Sequence, residues 1–550
     1  MTKTPTSVLP AVDVELIIEG SYPFVAGGVS SWVQRLMARM PDLSFGITHI
    51  GSQRKSLRKL KYKLPENVSF LQNVYLFDPV FVPAGDTGVF PFELWSADIE
   101  KPSMKKGIDH ILGIDDSSNG ISGVFSELSQ FHEQFHSRSI QGFSGLLKKM
   151  TDDRMIPVLR RLYSSREAFS LVIRLYQKLA AKSSFLDFFW TWRLLHVPLL
   201  QLLQTRPVKA RICHAVSTGF AGFLGTLRKI TQGIPLLLTE HGIYTRERAI
   251  EITHADWIFK EAHPEYRVRR AQGTFKRMWM SYFQTIGLWT YQASDRIITL
   301  NQGNYDAQII LGAVPEKLEI IPNGISMEAF LDLRSSASPS PHAFRVGFIG
   351  RVVMIKDVRT FLRAAKIVLM EYPDAMFSVI GPLDEEPEYA EEMQALTHML
   401  RIENRVEFLG KQNVREYFPK LDVNVLTSIS EAQPLTLLEG MAAGLPCVAT
   451  DVGSCRELIF GCDQADRELG ECGIITSLRS PAQTAQAIID ICTNPPRYQK
   501  MVQAGKTRVK TYYQEKDIYG RYRRLYEDLG HVPPARFMNR TGATTGKARN

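Results

Sequence analysis

Cysteine is scarce in this chain of 550 residues: there are six, and none stands in a C-x-x-C pair, the spacing that marks a dithiol redox or zinc site. Cys447 and Cys492 lie in apolar segments, where a free thiol behaves as a small hydrophobe, so reduced structural thiols are expected. That usage fits a cytoplasmic chain. Long apolar runs are missing too. The most apolar stretch, Phe185 to Leu203, carries Asp187, Arg193, His196 and Pro198 and is a poor membrane span. The early run Val12 to Ile18 is interrupted by Asp13 and Glu15 and does not read as a signal peptide. No D-x-D triplet occurs, so a carboxylate-held metal gripping a diphosphate has no support, and neither metal nor cofactor is expected. No nucleic-acid-binding motif and no internal repeat appear. The charge is modest: 66 basic less 57 acidic residues leaves +9, which points toward an anionic ligand or surface.

What is present is an ordinary globular composition, 44% hydrophobic and 22% charged, with room for two or more domains. In the C-terminal half, short apolar runs recur at Arg345–Gly350, Met376–Gly381, Val406–Gly410, Asp422–Leu426, Pro446–Thr450 and Gly473–Thr476. Helical stretches lie between most of them, such as Val358–Glu371 with Phe361, Leu362, Ala365, Val368 and Leu369 on one face. Strands alternating with helices predict an α/β domain with a parallel, doubly wound sheet. The N-terminal half repeats the pattern at Val12–Ile18, Phe45–Ile50, Arg211–His214, Pro235–Thr239, Arg296–Leu300 and Leu318–Ile321. An insert of about residues 75–205 breaks it, and 146–205 reads as helices with basic and aromatic faces. Ser335 to His342 is a linker by composition, separating domains at 1–334 and 343–511. Tyr512 to Leu529 reads as a helix, and 531–550 as a disordered tail. Two such domains form a cleft, and ligands bind at the carboxyl ends of the strands.

The candidate chemistry sits at those ends. Val346-Gly-Phe-Ile-Gly350-Arg351 runs into Lys356-Asp357, so a buried strand ends in two cations at a helix start that Asp357 caps. Cations there oppose the helix macrodipole, and a bound anion removes the conflict. About eighty residues downstream, Glu431 and Glu439 flank a loop-to-helix junction in Ser430-Glu-Ala-Gln-Pro-Leu-Thr-Leu-Leu-Glu439. Pro434 suits the first helical position and Gly444 the helix end. Leu435, Ala442 and Ala443 put Glu439 among apolar neighbours, where its carboxylate needs hydrogen-bond partners such as ribose hydroxyls. Glu431, in the preceding loop, faces the cleft for sugar hydroxyls or positive charge on a sugar ring. Together these describe a site for a hydroxyl-bearing anion, most simply a nucleotide-sugar. The first strand leads through Gly27-Gly28 into a helix, a cradle for an anion although not a G-x-G-x-x-G fingerprint. His241 stands just past a strand's carboxyl end. Each element also has a plain structural reading: solvated cations at 351 and 356, a salt bridge for Glu439, a loop glutamate at 431, a tight turn capped by Ser30, a structural histidine at 241.

Gly-Gly-Val-Ser-Ser-Trp-Val, Glu-His-Gly, Ala293-Ser-Asp-Arg-Ile-Ile-Thr-Leu300, Ile321-Pro-Asn-Gly-Ile325, Gly350-Arg351…Lys356 and the Glu431…Glu439 pair resemble the retaining glycosyltransferases of family GT4, over most of the chain outside the insert. The opening Glu19-Gly-Ser-Tyr-Pro23, the loop 381–389 and the insert are similar to the PelF-type branch, the cytosolic glycosyltransferases of Pel exopolysaccharide synthesis. The resemblance implies a GT-B fold: two Rossmann-like domains facing across a cleft, a helical insert in the first, and a helix at 512–530 packing back on the N-terminal domain. It implies a UDP-sugar donor (UDP-glucose or a UDP-N-acetylhexosamine), retention of anomeric configuration, a polysaccharide acceptor, and inner-membrane synthesis and export proteins as partners, with no nucleic acid. By the same match Arg351 and Lys356 hold the diphosphate, Glu439 the ribose and Glu431 the donor sugar. His241 lies beside the sugar, and Gly27, Gly28, Leu435 and Thr436 line the donor site. The long insert leaves acceptor recognition open. Its Lys148, Lys149, Arg154, Arg160, Arg161, Arg166, Arg174, Lys178 and Lys182 make either an amphipathic surface for anionic lipid or a membrane partner, or the solvated side of a helical cover. A UDP-sugar 2-epimerase of the same architecture and a catalytically silent UDP-sugar-binding subunit are the competing readings.

Overall fold

The structure, a computed structural model, describes residues 9–53, 59–77, 140, 144–151, 166–255, 258, 273–330 and 343–531. Among them, two parallel sheets form. The first holds β1 (Val12–Glu19), β2 (Phe45–Gly51), β3 (Val68–Tyr75), β4 (Ala210–Ala215), β5 (Leu236–Glu240), β6 (Arg296–Thr299) and β7 (Leu318–Ile320), in the order β3-β2-β1-β4-β5-β6-β7. The second holds β8 (Arg345–Ile349), β9 (Met376–Ile380), β10 (Val406–Gly410), β11 (Val423–Leu426), β12 (Cys447–Thr450) and β13 (Gly473–Thr476), ordered β10-β9-β8-β11-β12-β13. Strands buried on both faces need continuous apolar runs, and β2, β5, β11 and β12 are buried almost throughout. Strand order reverses between β1 and β4, and again between β8 and β11. A crevice opens at each switch point.

Sequence reasoning passed over β3. It is an edge strand of half-buried residues, without the apolar run that marked the others. Its pairing also explains Gly46, where a Cβ would overlap the Phe70 ring.

Helices cover both faces of the first sheet. On one, Ser144–Met150, Arg166–Leu179, Phe185–Leu203, Phe220–Gln232 and Thr274–Ala293 share a single core with Leu236, Leu238 and Ile297. The described part of the insert is therefore a cover for the sheet: Leu171, Val172, Leu175, Phe188 and Trp192 point inward, while Arg174, Lys178 and Lys182 are exposed. Arg154, Arg160 and Arg161 lie outside the described residues, as do the linker at 335–342 and the tail beyond residue 531. No helix among the described residues is long and apolar enough to cross a membrane.

On the other face, Gly28–Ala38 lies beside the helix Glu515–Gly530, and Ile518, Tyr519, Tyr522, Leu525 and Tyr526 join Val14, Leu16, Trp32 and Val33 in one core. This helix starts later than the expected Tyr512, which instead ends a preceding helix, Pro495–Tyr512. The break has a cause. Ile325 N–H donates to Tyr513 O and Glu515 N–H donates to Ile325 O, so the segment leaving β7 draws two backbone groups out of helical pairing.

Candidate functional site

The two C-terminal loops of interest leave the switch-point strands β8 and β11. After Gly350 the chain turns through a short 3-10 helix, Met354–Lys356, into Val358–Glu371. Asp357 caps that helix from a left-handed conformation, φ 47°, its carboxylate accepting from Thr360 N at 3.3 Å and Thr360 Oγ1 at 2.6 Å. Lys356 faces across to Glu431, and the ammonium and carboxylate form an ion pair with 18% and 12% of their side chains exposed. Ser428 Oγ donates to the same Glu431 oxygen at 2.6 Å. One of three ammonium donors is thereby used.

Arg351 is not brought to this pair. It lies in the open, its Nη1 donating to Glu385 Oε2 at 2.6 Å, with both side chains more than two-fifths exposed. Holding a diphosphate beside Lys356 would require it to leave Glu385.

The Glu431 loop is backed by Gly453, at φ +51°, where a Cβ would overlap the carbonyl oxygens of Glu431 and Ala432. Ser454 N–H then donates to Ala432 O at 3.0 Å. The following helix, Leu435–Ala442, begins one residue later than expected: Pro434 is its N-cap and supplies no side-chain acceptor. Leu435 and Thr436 open the helix without a capping side chain, a position where exposed N–H groups favour an anion.

Glu439 sits one turn further on and is half-buried. It borders a cavity of about 500 Å³ shared with Arg35, Arg39, Ser326, Arg415 and Glu515. Burial pushes its pKa up to about 7, against the opposing pull of Arg35 and Arg415. Among the described residues no hydrogen bond or ion pair reaches its carboxylate, so the salt-bridge reading does not describe it. Arg39 is paired with Glu515 at 3.3 Å, and the Arg415 guanidinium lies 5.5 Å from the Phe330 ring centroid.

Across the cleft, His241 follows β5 and is buried edge-on against Trp32, ring centroids 4.6 Å apart. Among the described residues its Nε2 has no hydrogen-bond partner, and burial pushes its pKa down to about 4, so the imidazole is neutral at neutral pH. The next residue lies close to the other domain: a Cβ at Gly242 would stand 3.9 Å from Ala432 Cβ. The His241 and Glu431 loops therefore meet. Gly27 and Gly28 are exposed at the start of their helix, and among the described residues nothing beyond their own chain neighbours and helix backbone comes within 4 Å of a Cβ at either. Ser30 lies inside that helix and caps nothing; Gly27 is the N-cap.

Sequence reasoning missed Arg35, Arg39, Arg415 and Glu515 of the cavity; Arg35 and Arg39 are one turn apart at the end of a single helix, but Arg415 and Glu515 come from distant segments and share no spacing with them. It also missed Asn301, Gln433 and Glu457 at the domain contact. Only Asn301 carried a local signal, an asparagine between a strand and a helix, where N-caps stand.

Residues 12–316 match a family described as a domain of unknown function, DUF3492, and residues 343–494 match the glycosyl transferases group 1. The N-acetyl-alpha-D-glucosaminyl L-malate synthase of Bacillus anthracis is 30% identical over 176 residues, 32% of this chain and 43% of that protein. The D-inositol 3-phosphate glycosyltransferase of Streptomyces coelicolor is 26% identical over 247 residues, 40% of this chain and 52% of that protein. The chain thus spans about half the length of the curated relatives it matches. Anabaena HepE, solved with UDP, superposes with a TM-score of 0.54 at 14% identity, covering 94% of this chain and all of its own. The sucrose-phosphate synthase of Thermosynechococcus elongatus gives 0.54 at 13%, covering 95% of this chain and all of its own. These likenesses establish the fold as GT-B.

Proposed function

The chain belongs to the DUF3492 family and carries a group 1 glycosyl transferase domain, and from that premise we propose that it is a retaining hexosyltransferase using a UDP-sugar. The observation that carries the reading is a convergence at the C-terminal switch point. Lys356, with donors to spare, faces Glu431 beside an uncapped helix start, and the desolvated Glu439 follows on the same helix. The names of the sequence relatives, a glucosaminyl-malate synthase and an inositol-phosphate glycosyltransferase, support sugar transfer.

In this reading the donor's diphosphate replaces Glu431 as the partner of Lys356 and rests on the N–H groups of Leu435 and Thr436. Arg351 swings from Glu385 to join it. Glu431, released, accepts hydrogen bonds from the sugar, and Glu439 accepts from the ribose hydroxyls. The bond from sugar C1 to the β-phosphate oxygen breaks as the acceptor hydroxyl attacks C1 on the same face. The hydroxyl proton passes to a diphosphate oxygen, and cations already in place stabilise the leaving UDP. His241, neutral and walled by Trp32, borders the sugar and keeps water out. We assign the donor to UDP-glucose or a UDP-N-acetylhexosamine and the acceptor to a growing Pel-type exopolysaccharide. The protein then works in the cytoplasm beside an inner-membrane synthesis and export complex.

The test is calorimetric binding of a UDP-sugar panel together with assay of UDP release. One donor should bind and release UDP slowly, and Lys356→Ala and Glu439→Ala should abolish the signal. Donor binding without release under any acceptor condition would favour a silent binding subunit. An epimerised sugar would favour the 2-epimerase, and absence of UDP binding would overturn the site.

A further inference from the structure

The helix Gln302–Ile310 starts directly behind β6 with Asn301, fully buried, as its N-cap. Asn301 Oδ1 accepts from Asn304 N–H at 2.8 Å, an ordinary cap. Its other end does something a cap does not require. Nδ2 donates at 3.1 Å to Ala432 O, in the opposite domain and one residue past Glu431. The same helix turn is gripped a second time from that domain, because the Glu457 carboxylate accepts from Gln302 N–H at 3.0 Å. On its own side, Asn304 Nδ2 reaches His241 O at 3.5 Å. Close by, Asn323 N–H donates to Gln433 Oε1 at 2.6 Å and Gln433 Nε2 returns to Asn323 O at 3.5 Å.

One turn of helix is thus bonded both to the backbone that carries His241 and to the backbone that carries Glu431. These bonds exist only with the domains together. Separating them would exchange both acceptors for water, so these bonds act less through their strength than through the geometry they impose. We infer that Asn301 is a positioning residue: it sets the register between the His241 loop and the Glu431 loop, so that the sugar-facing side of the cleft is assembled only on closure. The inference rests on the transferase reading for its effect on turnover, though not for the contact itself.

Asn301→Asp separates this role from simple capping. Aspartate caps as well as asparagine does, so the helix Gln302–Ile310 should persist, while the buried oxygen against Ala432 O lowers the melting temperature. It presents an acceptor to Ala432 O where a donor is needed. Turnover should fall roughly tenfold to a hundredfold while UDP affinity holds, the pattern of a misplaced reacting group. Backbone hydrogen exchange should accelerate across residues 431–434, with Gln302–Ile310 still protected. Unaltered turnover and exchange would overturn the inference. A loss of UDP affinity in proportion to turnover would also overturn it, placing Asn301 in donor binding. If the unaltered chain binds no UDP, the transferase reading falls and the exchange pattern alone decides the register role.

Discussion

Two ion pairs in the C-terminal domain look alike on paper and differ in what they leave unused. Arg508 and Asp466 are fully buried, 2.6 Å apart, and every remaining guanidinium donor is consumed: by the carbonyls of Leu458, Ile459, Asp466 and Gly470 and by Cys472 Sγ. Lys356 and Glu431 are also withdrawn from bulk water, yet they stand at the cleft with ammonium donors unspent among the described residues. A pair with no spare hydrogen-bonding capacity can only hold the fold. A pair with spare capacity at a switch point can exchange partners.

Substitution should separate the two. Arg508→Ala leaves Asp466 buried and unpaired, and chemical denaturation should show a loss of about 3–5 kcal/mol. Lys356→Ala should leave the melting temperature nearly unchanged while raising the barrier to sugar transfer by about 3 kcal/mol, more than a hundredfold in UDP release. Equal effects of both variants on stability would erase the distinction. Gly453→Ala tests the backing of the Glu431 loop. Its Cβ cannot fit beneath two carbonyls at a positive φ, so roughly 1–3 kcal/mol of strain should appear as lost stability together with lost turnover.

Glu439 sharpens the comparison by pH. Its folded pKa, about 7, is raised above the ordinary value of 4.5, so between these the folded chain holds a proton that the unfolded chain has released. Stability from this group is therefore lost as pH rises from about 4.5 to about 7, and Glu439→Gln should flatten that slope. UDP affinity should move the other way, tightening as the carboxylate ionises near pH 7, and this too should vanish in Glu439→Gln. The smallest effect belongs to Glu385→Ala. The exposed Arg351–Glu385 pair contributes about 0–1 kcal/mol, so stability should not change measurably, while donor KM falls as Arg351 is freed.

The strands of both sheets were legible because buried parallel strands require unbroken apolar runs, and every expected run became a strand. β3 escaped because an edge strand needs no such run. Asp357 as a cap was equally readable, since capping is local. Arg351 and Lys356 are five residues apart, and nothing in that spacing says that one turns to Glu385 and the other to Glu431. The cavity around Glu439 joins the helix turn of Arg35 and Arg39 to Arg415, a remote segment that no pattern links to it. The Asn301 contact was hidden for the same reason: one side chain bridges 131 positions to a backbone carbonyl, which has no sequence signature at all.

The helix Glu515–Gly530 follows the entire second domain, yet Tyr519, Tyr522 and Tyr526 complete the core that begins at Val14, and Tyr526 OH sits 2.7 Å from His214 Nδ1 beneath the first sheet. During synthesis, then, the domain that leaves the ribosome first is finished last. Trp32, Val33 and Leu36 wait with an open apolar face while some two hundred further residues are translated, and the C-terminal sheet can close in the meantime. A nascent chain stalled after the second domain would carry a closed C-terminal half joined to an N-terminal half whose apolar face is still open. A frameshift near residue 515 would do its damage at the opposite end of the polypeptide.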